Sequence, residues 1–170
     1  MDDAEETVGI VDKAPAITDN YYSMGAAPNI TARIPLLATT QEALHAEIMS
    51  IQGGGPFHVV LGDLMRDTIK MDFLRGCSSL ASCVIKCCKV TVIEKWFLHN
   101  CTSLGSLDIS GMRGVTTIGS FFLNDCSSLK SLNMSGMGSL TAIEETGFLS
   151  CCVSLPKPRL TAVSLLIKRK

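Results

Sequence analysis

Five cysteines and a histidine fall close together in this chain: Cys77, Cys83, Cys87 and Cys88, with His99 and Cys101 just beyond. Thiolates and imidazoles are zinc ligands, and structural zinc sites use recurring pairs spaced Cys-x₂₋₄-Cys. Cys83-x₃-Cys87 supplies one such pair, but no clear second pair follows. A zinc- or redox-responsive cysteine protein is therefore the weaker alternative, and no metal ligand or cofactor is assigned. His99 and Cys101 are two residues apart, with Asn100 between them. Nucleophilic dyads are usually assembled from distant segments, and nothing nearby marks an oxyanion hole. Gly53-Gly-Gly-Pro56 lacks both the Lys-Ser/Thr ending of a phosphate loop and Gly-x-Gly-x-x-Gly spacing, so it reads as a helix stop. Asn29-Ile-Thr31, Asn100-Cys-Thr102 and Asn133-Met-Ser135 fit the glycosylation pattern by chance, two of them within repeats. No catalytic residue is assigned, and the chain reads as a non-enzyme.

A stronger pattern explains the cysteines. Phe-Leu-x-x-Cys-x-Ser-Leu recurs from Phe73, Phe97, Phe122 and Phe148, at steps of 24, 25 and 26 residues. Cys77, Cys101, Cys126 and Cys152 share one place in it. A buried free cysteine behaves as a small hydrophobe, so stacked repeats would bring the four thiols into line. A period of this length marks a solenoid, whose units bury their apolar sides only against their neighbours. Cys83 then takes a core strand position, and Cys88 aligns with Met112 and Met137.

Within the clearest units two periods alternate. Phe97, Leu98 and Cys101, and likewise Phe122, Leu123 and Cys126, have helix-turn spacing. Leu107 and Ile109, and Leu132 and Met134, alternate with polar residues as in a half-buried strand. Gly111 and Gly136 then permit a sharp turn out of the strand. Val115-Thr-Thr-Ile118 and Leu140-Thr-Ala-Ile143 follow. The strands should stack as a short parallel sheet, with Val84, Asp108, Ser110, Asn133, Ser135 and Arg159 facing outward as candidate partner-binding positions. The last unit's strand region, Pro156-Lys-Pro-Arg-Leu160, carries two prolines and is expected only at an edge or not at all.

These motifs resemble a leucine-rich repeat protein of the BspA-like (Treponema pallidum-type) class. The resemblance covers about residues 73–160. It implies a curved solenoid whose β-lined face binds proteins or other surfaces, and many such proteins act in microbial adhesion. The expected fold class is α/β: a leucine-rich repeat solenoid with a short parallel sheet, a helical cap and a flexible N-terminal arm. The divisions are an arm over 1–38, a cap or lead-in over 39–72, about four repeats over 73–160 with the first and last degenerate, and a tail over 161–170. A degenerate repeat within 44–70 is the alternative for the lead-in.

The elements that must position the repeats follow from local signals. Thr39 and Glu42 match a capping box, and Leu44, Ile48 and Ile51 give a helical apolar stripe. Phe57–Leu61 reads as a strand. Asp63 is expected to cap a second helix carrying Leu64, Ile69 and Phe73. In the arm, Tyr21-Tyr22 and Ile34-Pro-Leu-Leu37 are the only anchors.

Composition narrows function further. Residues 1–70 carry 10 acids and 4 bases, and residues 71–170 carry 6 acids and 11 bases. The bases are scattered without aromatic interleaving, which argues against a nucleic-acid groove. No apolar run approaches the ~20 residues of a membrane span. The opening Met-Asp-Asp-Ala-Glu-Glu lacks a secretory n-region, so the cytoplasm is expected, with the surface or exterior as the alternative should a signal precede it. The overall expectation is a protein-protein interaction module with a partner of unknown identity. An adhesion-type protein or a fragment of a longer one is the alternative. The apolar terminus Thr161–Ile167 raises self-association through an exposed C-terminal repeat face.

Overall fold

The computed structural model describes residues 20–28, 33–62, 64 and 66–156. Its repeats wind as coils with three walls. The first wall is a six-stranded sheet ordered β2-β1-β3-β5-β7-β9. Here β1 is Tyr21–Met24, β2 Ile34–Pro35, β3 Phe57–Leu61, β5 Leu80–Ile85, β7 Ser106–Asp108 and β9 Ser131–Asn133. The second is a four-stranded sheet of two-residue strands: β4 (Thr68–Ile69), β6 (Val92–Ile93), β8 (Thr117–Ile118) and β10 (Ala142–Ile143). The third wall carries the Phe-Leu-x-x-Cys segments.

Strands β3, β5, β7 and β9 run parallel, and Cys83, Leu107 and Leu132 sit side by side in register. Every second side chain points inward, so Val59, Cys83 and Leu107, then Leu61, Ile85 and Ile109, form continuous buried columns. Parallel order requires a full coil between strands, and the repeat supplies it. In the second sheet Thr91, Thr116 and Thr141 each donate a hydroxyl to the carbonyl of the preceding coil, at 3.1–3.2 Å.

The four phenylalanines lie in line. Phe73, Phe97, Phe122 and Phe148 stack with centroid separations of 6.4, 5.6 and 5.4 Å. Cys101, Cys126 and Cys152 each donate their thiol at 3.1 Å to the carbonyl of the leucine one coil earlier: Leu74, Leu98 and Leu123. The cysteine thus packs as a hydrophobe and also satisfies a buried acceptor.

The third wall is not helical, despite its helix-turn spacing. Alternate residues occupy the left-handed region, at Asp72, Leu74 and Gly76 in one coil, and Trp96, Leu98 and Asn100 in the next. Phe121, Leu123 and Asp125 repeat the pattern, as do Gly147, Leu149 and Cys151. The left-handed leucines donate backward, Leu98 to Phe73 and Leu123 to Phe97, both at 3.1 Å. Their neighbours donate forward, Trp96 to Ser120 at 2.9 Å and Asn100 to Asn124 at 2.8 Å. A left-handed residue with a Cβ costs roughly 1–2 kcal/mol. Burying a leucine contributes about 1.5–3 kcal/mol and its hydrogen bond about 1 kcal/mol, so stacking outweighs the strain.

Several local expectations change. The capping residue of α1 (Gln41–Ser50) is Thr40, not Thr39: its side chain accepts from Ala43 N. Among the described residues no second helix follows position 63. Asp63 lies outside the described residues, and Thr68–Ile69 is a strand because it pairs with Val92–Ile93. Leu64, Ile69 and Phe73 are buried all the same. The arm is structured where described: β1 pairs antiparallel with both β2 and β3, and the tyrosine pair lies within it. Gly111 and Gly136 do not adopt positive φ. They are required by space, because a Cβ at Gly111 would sit 2.7 Å from Lys86 Cα and one at Gly136 would overlap the Ser110 carbonyl oxygen. Cys87, not Cys88, occupies the buried place of Met112, since that coil is one residue shorter; Cys88 is exposed. Of the proline-bearing last strand region, positions 157–160 lie outside the described residues.

The N-terminal end is closed by side chains of α1 standing in for a missing coil. Gln41 spans the edge of β4, donating to Thr68 O at 3.2 Å and accepting from Lys70 N at 2.7 Å. One turn on, His45 Nδ1 accepts from Leu74 N at 2.9 Å. Met49 Sδ meets the Cys77 thiol at 3.1 Å. In the following turn Gln52 donates to Gly76 O and accepts from Ser79 N. Leu44 and Ile48 supply the buried apolar stripe, with Ile51 partly covered.

Candidate interaction face

The outward positions of the parallel strands form columns across the coils. Val84, Asp108 and Asn133 stand side by side in register, as do Ser82, Ser106 and Ser131. Ser110 and Ser135 lie just beyond β7 and β9. Val84, Asp108, Ser110 and Asn133 are half-buried and Ser135 is exposed. Arg159 lies outside the described residues.

Two of these residues also hold the strand ends. Asp108 Oδ1 accepts from the Ser110 backbone N–H at 2.9 Å and its hydroxyl at 2.6 Å. Asn133 Oδ1 accepts from Ser135 N at 3.2 Å. Such side-chain turns compete with further strand pairing. Burial pushes the Asp108 carboxyl up, but hydrogen bonds from Ser110 and Asn133, with the Lys86 charge, hold it below its usual value. It is therefore an anion at neutral pH.

The face offers hydroxyls, one amide, one carboxylate, the methyls of Val84 and the ammonium of Lys86. Sequence reasoning missed Ser82, Ser106 and Ser131, although the strict alternation two residues ahead of Asp108 and Asn133 was the available signal. At its N-terminal margin, His58 Nε2 donates to Gly25 O at 3.2 Å, so Nδ1 accepts from the Ser82 hydroxyl at 2.6 Å. The β1 end thereby covers part of the sheet.

The cysteine cluster does not converge. Among the described residues no group of three His, Cys, Asp or Glu side chains is arranged to hold a metal ion. Cys101 is buried and donates to Leu74 O, whereas His99 turns outward against Phe121 and within 3.2 Å of Asn124 Nδ2. Burial pushes the Cys77 and Cys152 thiols up to about 12. The neighbouring Cys126 thiol and burial raise Cys101.

On the third wall, the Arg75 guanidinium lies 5.0 Å from the Trp96 ring centre, and Trp96 lies 6.1 Å from Phe121. Phe121 fills the space where a Cβ of Gly147 would stand. Each side chain thus leans on the next coil, which assigns this row to stacking.

The repeat in sequence, the parallel strands and the phenylalanine column agree with the family comparison. The family model described as BspA type leucine rich repeat region matches residues 65–161, more than half of the chain, in six copies. The chain belongs to the BspA-type leucine-rich repeat family. No curated protein and no solved structure matches it. The BspA-type match starts ahead of Phe73, and β3 and β4, also ahead of Phe73, already pair in parallel with the first strands of both sheets' repeating parts, β5 and β6. The family is generally non-catalytic. Among the described residues no helix is long and apolar enough to cross a membrane.

Proposed function

We propose that this BspA-type module works by binding rather than catalysis, with the outward face of β5, β7 and β9 as its docking surface for a protein partner. The observation that carries this reading is the contrast between the two sides of the same strands. Inward neighbours Cys83, Leu107 and Leu132 stay apolar, while outward neighbours change from Val84 to Asp108 to Asn133. Stacking constrains the first set and leaves the second free to be selected for contact. Arg159 belongs to the same proposal as its C-terminal extension.

The reading places the protein in a reducing compartment such as the cytoplasm. All eight cysteines are free thiols, and reducing conditions keep them so.

The test is affinity purification with mass spectrometry on the full chain, repeated with Val84→Arg, Ser106→Arg and Asn133→Arg. A partner that binds through this face is lost from all three, with affinity down at least about tenfold per variant and the unfolding midpoint nearly unchanged. Equal binding by all three variants rejects the face. Asn133→Arg also removes the bond to Ser135 N, so Ser106→Arg is the cleaner probe.

A further inference from the structure

We propose that His45 is a pH-sensitive latch that holds the cap helix α1 on the first coil, and that acid opens it. The geometry assigns its protonation state. A backbone N–H can only donate, so the 2.9 Å contact from Leu74 N makes His45 Nδ1 an acceptor and puts the ring proton on Nε2. Protonation at Nδ1 would set two donors against each other and remove the contact that serves Leu74 N in place of a preceding coil's carbonyl. In the later coils that role belongs to Phe73 O, Phe97 O and Phe122 O, none of which titrates.

The surroundings favour the neutral ring. His45 is half-buried, packs against Phe73 with 6.1 Å between ring centres, and lines a cavity of about 210 Å³ with Gln41, Glu42 and Asp72. The charged groups around it are Glu42 on α1, and Lys70, Asp72, Arg75 and Glu94 on the coils. Lys70 is paired with Glu42, Arg75 is paired with Asp72, and Glu94 accepts from Met71 N. Loss of solvation lowers the affinity of His45 for a proton, and Asp72 opposes this only in part.

The sign follows from linkage. The open form binds a proton near the ordinary value of 6.5, and the closed form binds it only at lower pH. The latch is intact above that ordinary value and weakens as pH falls from there toward the closed-form value. Between the two, the opening equilibrium rises by up to about tenfold per pH unit. Opening would expose Leu74 N, Gly76 O, Ser79 N and the Cys77 thiol, the edge that α1 and the Gln52 side chain just beyond it otherwise satisfy.

The experiment is amide hydrogen exchange by NMR on the full chain from about pH 7.5 to about pH 5.5, expressed as protection factors to remove the intrinsic pH dependence. The Leu74 protection factor should fall several-fold across this range in the native chain. It should stay level in His45→Asn, whose Oδ1 can accept the same bond without titrating. A level profile in the native chain, or an equal fall in both, overturns the proposal. Should His45→Asn fail to fold, the imidazole ¹⁵N shifts of the native chain decide: an Nδ1–H tautomer at about pH 7.5 would overturn it.

Discussion

The N-terminal cap and the repeating coils present the same edge atoms and satisfy them by different means. Between coils, the acceptors are backbone carbonyls: Leu123 N donates to Phe97 O, and the Cys126 thiol to Leu98 O. At the cap, side chains replace each of those acceptors, with His45 for the carbonyl and Met49 for the thiol's partner. Identical coils can repeat indefinitely because each is its neighbour's template. A cap has no template, so its residues follow no repeat and must be individually suited. The last strands described, β9 and β10, each have one neighbour in their sheets, and no comparable helix lies against them among the described residues.

The comparison can be broken most severely in the phenylalanine column. Phe97→Ala removes a fully buried ring stacked on both sides, and should cost about 3–5 kcal/mol in urea unfolding. Phe148→Ala, at a partly buried rung with one stacked neighbour among the described residues, should cost clearly less. Equal losses would mean the rungs do not shield one another.

The next effect tests close approach between coils. Gly136→Ala should cost about 3 kcal/mol or more, because the added methyl meets rigid backbone at Ser110. Gly138→Ala, two residues on, meets nothing within 4 Å and should change stability by under about 0.5 kcal/mol. Similar costs at both would show that turn conformation, not space, requires glycine at 136.

At the cap, Gln41→Ala strands Thr68 O and Lys70 N at the edge of β4. A loss of about 1–3 kcal/mol is expected. An unchanged unfolding midpoint would show that water serves as well as the amide. The smallest perturbation leaves the fold intact. Iodoacetamide at about pH 7.5 should modify exposed Cys88 first and then exposed Cys151, whose thiol is held up by the neighbouring Asp125 carboxylate. The six buried thiols should stay unmodified in the folded chain; rapid labelling of Cys101 or Cys126 would show that the coils open readily.

Legibility followed the same division. Alternation at Leu107/Ile109 and Leu132/Met134 showed which strand faces are buried, and the recurring phenylalanine and cysteine placed their columns. Both signals are carried by residues meeting their own kind one coil away. Of the outward strand positions, Val84, Asp108 and Asn133 stand side by side as the alternation implies, whereas Ser82, Ser106 and Ser131, two residues earlier on the same alternation, were overlooked. The antiparallel pairing of Tyr21–Met24 with Phe57–Leu61 left no trace, since neither segment repeats the other. The third wall was misread as helix-like because Phe, Leu and Cys spacing fits a helical turn equally well. Only the neighbouring coil's carbonyls make alternating left-handed residues the better solution.

By itself, the order of residues determined the repeat length, the inward apolar rows, the parallel stacking and the family. Those properties depend on a local pattern copied along the chain, so any one copy reports the environment of the next. Tertiary structure alone decided that Gln41, His45, Met49 and Gln52 close the first coil, that Gly136 is needed for clearance, and that Cys87 is buried instead of Cys88. Each depends on which unlike atoms arrive opposite one another across a coil boundary, and a single-copy contact has no periodicity to announce it.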